Sequence, residues 1–571
     1  MEPHVREVVE RMLAQALQDA VEAGEVSFAE PPAVEVERPR DPGHGDWATN
    51  VALKSARAAG MAPRDLAALI AQRIADHPDI ASVEVAGPGF INVRLAPAVF
   101  QREVERVRRE RERYGAQPPR GERVQVEFVS ANPVGPMHVG HGRWAALGDS
   151  IARLLEHAGY DVEREFYVND AGVQMDIFAA SVSARYMELC GREVQFPEDG
   201  YRGAYITDIA REIFEDEGEA WADRPAAERE AHFKERAYTQ VLEHLKRVLH
   251  AFGVDFDVWF SERALHAPAP DGGPSEIERA IGRLREAGHV YEHEGAVWFR
   301  STSFGDDKDR VLVKADGSYT YFAADVAYHW DKFGVRGFDR VIDLWGADHH
   351  GYVKRMEAAC SALGFPGQLE VIIGQMVNLF RNGEVVRMSK RTGEMVTFEE
   401  LLDEVGADAA RYFFLRRSTD QSLDFDIGLA KQQTNENPVF YVQYAHARIC
   451  SILRKAAGEE GASDVDALAA RLVPADVDLA LLSEDAELAL LRKIAEFPEV
   501  AAGAAEQRAP HRITRYAEDL ATAFHQFYTV CRVVDPEAPA LSAARLALCD
   551  ATRLAIAAAL GLLGVGAPVR M

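Results

Sequence analysis

The stretch SANPVGPMHVGHGR, residues 130 to 143, sets His138 and His141 three residues apart behind a loop whose prolines keep it from being helical. Two imidazoles one turn apart at a helix mouth stand beside backbone N–H groups without intrahelical partners, a place suited to phosphate or ribose. Gly140 between them removes a Cβ where a flat base or sugar would press on the backbone. Read alone, the pair is weak evidence, since two structural histidines or half of a metal site would each be a commoner reading. No acid or thiol stands at ligand spacing nearby, which disfavours the metal. A second candidate is GEVVRMSKRTGEM, where Arg387, Lys390 and Arg391 crowd into a segment ending Thr-Gly before a helix. By itself it is a basic surface turn; it is also a construction suited to a loop that closes over polyphosphate.

A third signal is an acid where none is affordable. Glu127 sits inside VQVEFVS, and a carboxylate within an apolar strand costs several kcal/mol unless a cation meets it. Further along, Asp348, His349 and His350 in LWGADHHGY follow the end of an apolar segment. They border a ligand or stabilise a loop; spacing alone does not choose.

The elements that must hold these residues follow from periodicity. After VQVEFVS and the Pro/Gly loop, Leu147, Ile151, Leu154, Leu155 and Ala158 fall on one helical face and Gly159 ends it, giving one βα unit. Further strands are expected at 163–168, 297–301, 310–314, 340–346 and 369–377, separated by helical stretches. The expectation is an α/β, doubly wound, largely parallel (Rossmann-like) sheet over residues 116–430, binding its ligands beyond the strands' carboxyl ends. A charged helical insertion is expected over about 176–275. Residues 1–115 read as an α+β unit with strands at 34–38 and 90–95, ending in YGAQPPRGER. Just before that boundary, QREVERVRRERERYG reads as a solvated helix laced with i,i+4 pairs rather than a dedicated RNA patch. From 431 to 571 strands vanish and Ala/Leu-rich periodicity, as in Val442, Ala445, Ile449 and Leu453, predicts an all-α bundle with a packed terminus.

Composition bounds the chemistry. At 571 residues, 47% hydrophobic, the chain is too long for one core. Five scattered cysteines without a CxxC suggest neither a disulfide framework nor a structural zinc site and fit a reducing cytoplasm. The N-terminus has no uninterrupted apolar run, so neither a signal peptide nor a membrane span is expected. A formal charge of -27 argues against indiscriminate polyanion binding but leaves room for local basic surfaces.

Together and in this order, the HVGH and RMSKR segments resemble the HIGH and KMSKS signatures of class I aminoacyl-tRNA synthetases. Over VEFVSANPVGPMHVGHGRWAALGD, YRGAYITDIA, YFAADVAYH, LWGADHHGY, GADAARYFFLRRS, NPVFYVQYAHARI and the N-terminal GDWATNVAL, the chain resembles the bacterial type of the arginyl-tRNA synthetase family along essentially its whole length. Departures are small: Val139 stands for Ile, and Arg387 supplies the first cation of the second signature.

The resemblance implies ATP-dependent ligation of L-arginine to tRNA(Arg) through an arginyl-adenylate, with Mg2+ accompanying the nucleotide and release of AMP and pyrophosphate. It implies catalytic roles for His138, His141 and Lys390, and ATP contacts at Gly140, Gly142, Asp348, His349, Arg387, Met388 and Ser389. Arginine would be held by Glu127, Ser130, Asn132, Tyr321 and Asp325, because a buried guanidinium demands matching carboxylates. For Asp325 a helix-capping role is the competing expectation. The tRNA would meet Trp47 and Asn50 in the N-terminal unit and Tyr441, Tyr444 and Arg448 in the bundle, by stacking or pairing with unpaired bases. A cytoplasmic monomer is the family expectation. Two other readings stay in view: a nucleotidyltransferase using only the HxGH chemistry, which leaves the helical bundle unexplained, and a tRNA-binding paralogue without catalysis, against which His138, His141 and Lys390 speak.

Overall fold

Strand β1 (Trp47–Thr49), β2 (Ile80–Ala86) and β3 (Phe90–Leu95) form an antiparallel sheet in the order β1-β3-β2. Helices Val5–Glu22, Val51–Ala59 and Pro63–Ile74 complete the unit, burying Val9, Leu13, Val51, Leu66 and Ile70. The computed structural model describes residues 4–571 except 31, 382 and 387–395. The strand expected at 34–38 is not formed: only Glu37 pairs, in a single bridge to Ala48, because β1 is three residues long and offers no further edge.

The helix Pro97–Glu110 corrects the solvated reading of that stretch. Its i,i+4 pair is present, Arg106 Nε donating to Glu110 Oε1 at 3.0 Å. Yet Val99, Phe100, Val104, Val107 and even Arg106 are buried. The apolar stripe packs on helices Asp485–Ala495 and Pro539–Leu562 of the C-terminal bundle, and Gln101 Nε2 donates to the Leu482 carbonyl at 3.1 Å. Arginine and glutamate dominate the composition, but four apolar residues on one face decide the packing.

The central sheet comprises β4 (Arg123–Glu127), β5 (Asp161–Val168), β6 (Val258–Ser261), and, after an antiparallel excursion, β10 (Arg340–Gly346) and β11 (Leu369–Gly374). All four pairings are parallel and the order is β11-β10-β4-β5-β6. This is the doubly wound order whose winding reverses between β4 and β10, the crevice where such sheets bind ligands. The excursion holds β7 (Val290–His293), β8 (Ala296–Phe299) and β9 (Arg310–Val313), an antiparallel sheet of its own. The segments expected at 297–301 and 310–314 are therefore strands, but not of the main sheet; β8 and β9 pair antiparallel across a ten-residue connection that holds a single 3-10 turn, shorter than a parallel crossover needs. The helical insertion, Val173–Leu189, Ala204–Glu217 and Ala226–Ala251, ends earlier than expected, since β6 lies inside the range 176–275. Its four residues, VWFS, are too few to show a period.

Beyond β11 a small sheet of β12 (Val377–Arg381), β13 (Glu384–Val385) and β14 (Leu423–Asp426) precedes helices to the end of the chain. In the helix Pro438–Ala457, Val442, Ala445, Ile449 and Leu453 are fully buried, as their spacing predicts. The terminus is packed too: Leu563 and Val565 are buried, and Arg454 donates to the Val569 carbonyl at 3.0 Å.

Candidate active site

Glu127 is the last residue of β4, and the chain leaves it through two residues in the left-handed region, Val129 at φ 71° and Ser130 at φ 41°. For a β-branched residue that conformation is strained by about 1–2 kcal/mol. The strain has a product: Ser130 Oγ turns back to donate to Glu127 Oε1 at 2.9 Å and accepts from the Tyr167 N–H at 3.1 Å. Asn132 is exposed and donates to Gln174 Oε1 at 2.8 Å.

The helix Val139–His157 then begins with His138 as its N-cap and His141 as its third residue. The His138 N–H donates to His141 Nδ1 at 3.2 Å, and the His138 ring reciprocates over the first turn, a capping box made of two imidazoles. The rings stack with centroids 3.7 Å apart. A Nδ1 that accepts leaves the ring proton of a neutral His141 on Nε2, so that nitrogen is a donor. A Cβ on Gly140 would lie 2.8 Å from the His138 ring; the glycine makes room first for that histidine. A Cβ on Gly142 would lie 2.2 Å from the Phe398 ring. Gly142 is therefore a packing glycine: the space assigned to ATP is filled by Phe398. Arg143, fully buried, fixes the helix by donating to the carbonyls of Gln375, Ser418 and Gln421 at 2.8, 3.0 and 2.9 Å.

Arg387, Met388, Ser389, Lys390 and Arg391 lie outside the described residues. The chain that follows comes directly onto the histidine loop: Thr397 bridges His138, and the Phe398 N–H donates to the Met137 carbonyl at 2.9 Å.

The acids gather on the central strands. Asp343 of β10, Glu127 of β4 and Glu165 of β5 are in register, three carboxylates abreast on neighbouring strands. The cations come from the helix Tyr321–Trp330 and its π-helical continuation, Asp331–Val335. Lys332 Nζ, with no exposed surface, donates to Glu127 Oε2 at 2.6 Å and to Asp343 Oδ1 at 3.0 Å. Arg336, four residues on, grips Glu165, donating to its Oε1 at 3.0 Å, and Tyr328 donates to the same carboxylate. Burial pushes the Glu127 carboxyl up, against the pull of Lys332. Burial would also raise Asp343, but Lys332 and His329 outweigh it and hold that carboxyl at about 2. The cation that the sequence demands for Glu127 is thus supplied within the chain, and removing one partner of such a buried pair costs about 3–5 kcal/mol.

Asp325 is not a cap. Thr320 caps that helix, its side chain accepting from the Ala323 N–H at 3.3 Å, while the Asp325 carboxylate accepts from the Tyr352 hydroxyl. Burial raises the Asp325 carboxyl, and Tyr352 opposes the rise. Tyr321, at 64% exposure, stands one turn before it with its hydroxyl toward Gly172. Asp348, His349 and His350 are exposed on a 3-10 turn after β10, the imidazole of His349 lying 3.5 Å from Asp348. Sequence reading missed Lys332, Asp343 and Tyr352. The signal for Asp343 was available: it is an acid inside the apolar strand RVIDLWG, as Glu127 is in VQVEF.

The expected tRNA residues divide. Trp47 is 1% exposed, roofed by Arg38 with its guanidinium carbon 4.6 Å from the ring centroid; it is core, and the tRNA contact assigned to it is withdrawn. Asn50 is half-buried at the N-cap of the helix Val51–Ala59. Tyr441, Tyr444 and Arg448 share one face of the helix Pro438–Ala457. Arg448 lies 5.1 Å over both Tyr444 and Tyr528, and Tyr441 packs 5.1 Å from His525. Among the described residues no helix is long and apolar enough to cross a membrane, and no group of three or more His, Cys, Asp or Glu is placed to hold a metal ion.

Comparison with known proteins agrees with this geometry. The family model "tRNA synthetases class I (R), catalytic domain" matches residues 103–435, "Arginyl tRNA synthetase N terminal domain" matches 7–95 and "DALR anticodon binding domain" matches 442–571. The sheet with its winding reversal, the HxGH helix start and the catalytic-domain match define a class I aminoacyl-tRNA synthetase. The chain is 50% identical over 569 residues to the arginine–tRNA ligase of Heliobacterium modesticaldum, covering 99% of each, and 48% identical to that of Bacillus subtilis, covering 100% of each. Among solved structures, a putative arginyl-tRNA synthetase from Campylobacter jejuni is 34% identical with a TM-score of 0.74, over 84% of this chain and 100% of that one. Arginyl-tRNA synthetase of Thermus thermophilus, at 24% identity and a TM-score of 0.73 over 99% of this chain and 100% of that one, shares the fold. The chain belongs to the arginyl-tRNA synthetase family.

Proposed function

We infer that this protein ligates L-arginine to tRNA(Arg) at the expense of ATP, releasing AMP and pyrophosphate. The observation that carries the reading is full-length identity near 50% to arginine–tRNA ligases, joined to a row of in-register acids on the central sheet and an HxGH helix start. In the first step the arginine carboxylate attacks the α-phosphorus of ATP. A carboxylate is already nucleophilic, so the step calls for positioning and charge stabilisation rather than a base.

In this reading Glu127 and Asp325 take the guanidinium, Tyr321 covers it, and Ser130 and Asn132 serve the substrate's other end. His138 and His141 donate to the phosphates as charge builds. Asp348 and His349 border the nucleoside, Arg387, Met388 and Ser389 contact ATP, and Lys390 binds its β/γ-phosphates. Mg2+ bound with the nucleotide would share the charge of its phosphates. The segment 116–430 does the chemistry, 431–571 meets the anticodon through Tyr441, Tyr444 and Arg448, and 1–115 steadies the tRNA, with Asn50 at its surface. Five cysteine thiols, four of them buried, support a reducing, cytoplasmic setting. A monomeric state is carried from the family resemblance, and elution volume on size-exclusion chromatography tests it.

The decisive experiment is arginine-dependent ATP–pyrophosphate exchange with and without tRNA, followed by arginylation of tRNA. Exchange that depends on arginine is expected, with tRNA required. Exchange supported by another amino acid, or none under either condition, would overturn the reading.

A further inference from the structure

Three in-register carboxylates, Asp343, Glu127 and Glu165, face two cations, Lys332 and Arg336, that the π-helical segment and the residue after it deliver four positions apart. Arg336 is occupied at the Glu165 end, where it also pairs with Asp331 at 2.7 Å. Lys332 alone serves both Glu127 and Asp343, the pair that straddles the winding reversal. Its ammonium lies 4.2 Å from the Tyr328 ring centroid and has no exposed surface. Glu127 keeps its other oxygen on Ser130 and remains 8% exposed, while the neighbouring Asp325 carboxylate accepts from the Tyr352 hydroxyl. Asp343, Glu127, Glu165, Asp331 and Asp325 thus outnumber Lys332 and Arg336, an excess of negative charge that suits an incoming guanidinium.

We propose that Lys332 is a positioning residue for arginine recognition: by clamping Glu127 Oε2 against Asp343 it keeps the Glu127 carboxylate charged and aimed, without touching the substrate. This deepens the proposed function and rests on its assignment of Glu127 and Asp325 to the guanidinium. The groups around the clamp are consistent in sense. Glu165 on β5 faces Glu127 and opposes a further negative charge there, while Glu127 in turn helps hold the Tyr167 and Tyr328 hydroxyls protonated. Asp325 faces both Lys332 and Asp343. His329 Nε2 donates to Asp343 Oδ2 at 3.0 Å, and the Cys360 thiol, on the helix Val353–Ala362, is pushed up by burial and by Asp343. Lys332 is the cation within hydrogen-bond reach of Glu127. Without it, burial and the adjacent acids drive Glu127 toward its neutral form, which cannot hold a guanidinium.

The test is Lys332→Met, accompanied by Lys332→Met/Asp343→Asn, which removes one positive and one negative charge and so protects folding. L-arginine affinity is measured by calorimetry across about pH 6 to 9, with turnover at saturating arginine. In both variants affinity at neutral pH is expected to fall about ten- to a hundredfold and to recover as pH rises, while turnover at saturation stays within a few-fold. The parent is expected to show a flatter profile over the same range, since its clamp keeps Glu127 charged. Affinity unchanged in the double variant, or lowered equally at every pH, would overturn the proposal and leave Lys332 a structural ion. A parent that arginylates tRNA beside such variants limits the failure to Lys332; a parent that binds no arginine overturns the proposed function as well.

Discussion

The two walls of the crevice are built by different rules. On the wall assigned to arginine, charges are buried and prepaired: Glu127 on Lys332, Asp343 on Lys332 and His329, Asp325 on Tyr352. On the wall assigned to ATP, the groups are two stacked imidazoles, the first turn of a helix and the exposed residues 348–350. The difference matches what each substrate demands. A side chain must be told from nineteen others, which needs fixed groups in a medium of low dielectric where a mismatch is costly. A triphosphate must enter, react and leave as two fragments, which needs donors that tighten only as charge develops.

This division is most sharply broken by His141→Asn. Loss of a phosphate donor is expected to lower turnover by about 10²–10³-fold, while the calorimetric affinity for arginine changes less than about twofold. If arginine affinity falls in step with turnover, the walls are not separable. Asp325→Asn should do the reverse. Neutralising a half-buried carboxylate that receives a cation is expected to weaken arginine about a hundredfold, near 2.7 kcal/mol. A calorimetric affinity equal to the parent's would remove Asp325 from the pocket.

How much of these walls was legible in the sequence follows the same division. Short-range features read well: the HxGH loop, β4, the helix after it and the C-terminal periodicity are set by local pattern, and the structure places them as expected. Long-range partners did not. Nothing local to DKFGV announces that Lys332 meets Glu127, 205 residues away. Trp47 and Gly142 misled for a related reason. Each belongs to a segment that resembles the family's functional stretches, yet each is used for packing, Trp47 under Arg38 and Gly142 against Phe398. β7, β8 and β9 read correctly as strands, where read at all, but to the wrong sheet, because pairing direction depends on connections rather than composition.

Gly142→Ala tests the packing assignment on the nucleotide wall. With a Cβ 2.2 Å from Phe398, overpacking is expected to cost about 1–3 kcal/mol in urea unfolding. The companion change Phe398→Leu should return most of it. Were the glycine demanded by nucleotide instead, Phe398→Leu would restore nothing, and the alanine would act on the ATP KM without lowering stability.

The smallest effect probes the arginine wall through a group that need not touch substrate. Tyr352→Phe deletes the hydroxyl that donates to Asp325 and leaves the ring's packing in place. Burial already raises the Asp325 carboxyl, and losing the donor removes an opposing influence, so it rises further. The sign of the pH effect follows: a guanidinium binds the ionised acid, so arginine affinity is present above the raised pKa and is lost as pH falls through it. In Tyr352→Phe that loss should begin at higher pH than in the parent. At neutral pH the expected cost is about 1 kcal/mol, near fivefold in affinity. A fivefold loss that is the same at every pH would mean that Tyr352 shapes the pocket without tuning its charge, and the contrast between a prepaired acidic wall and an adaptable nucleotide wall would then rest on Lys332 alone.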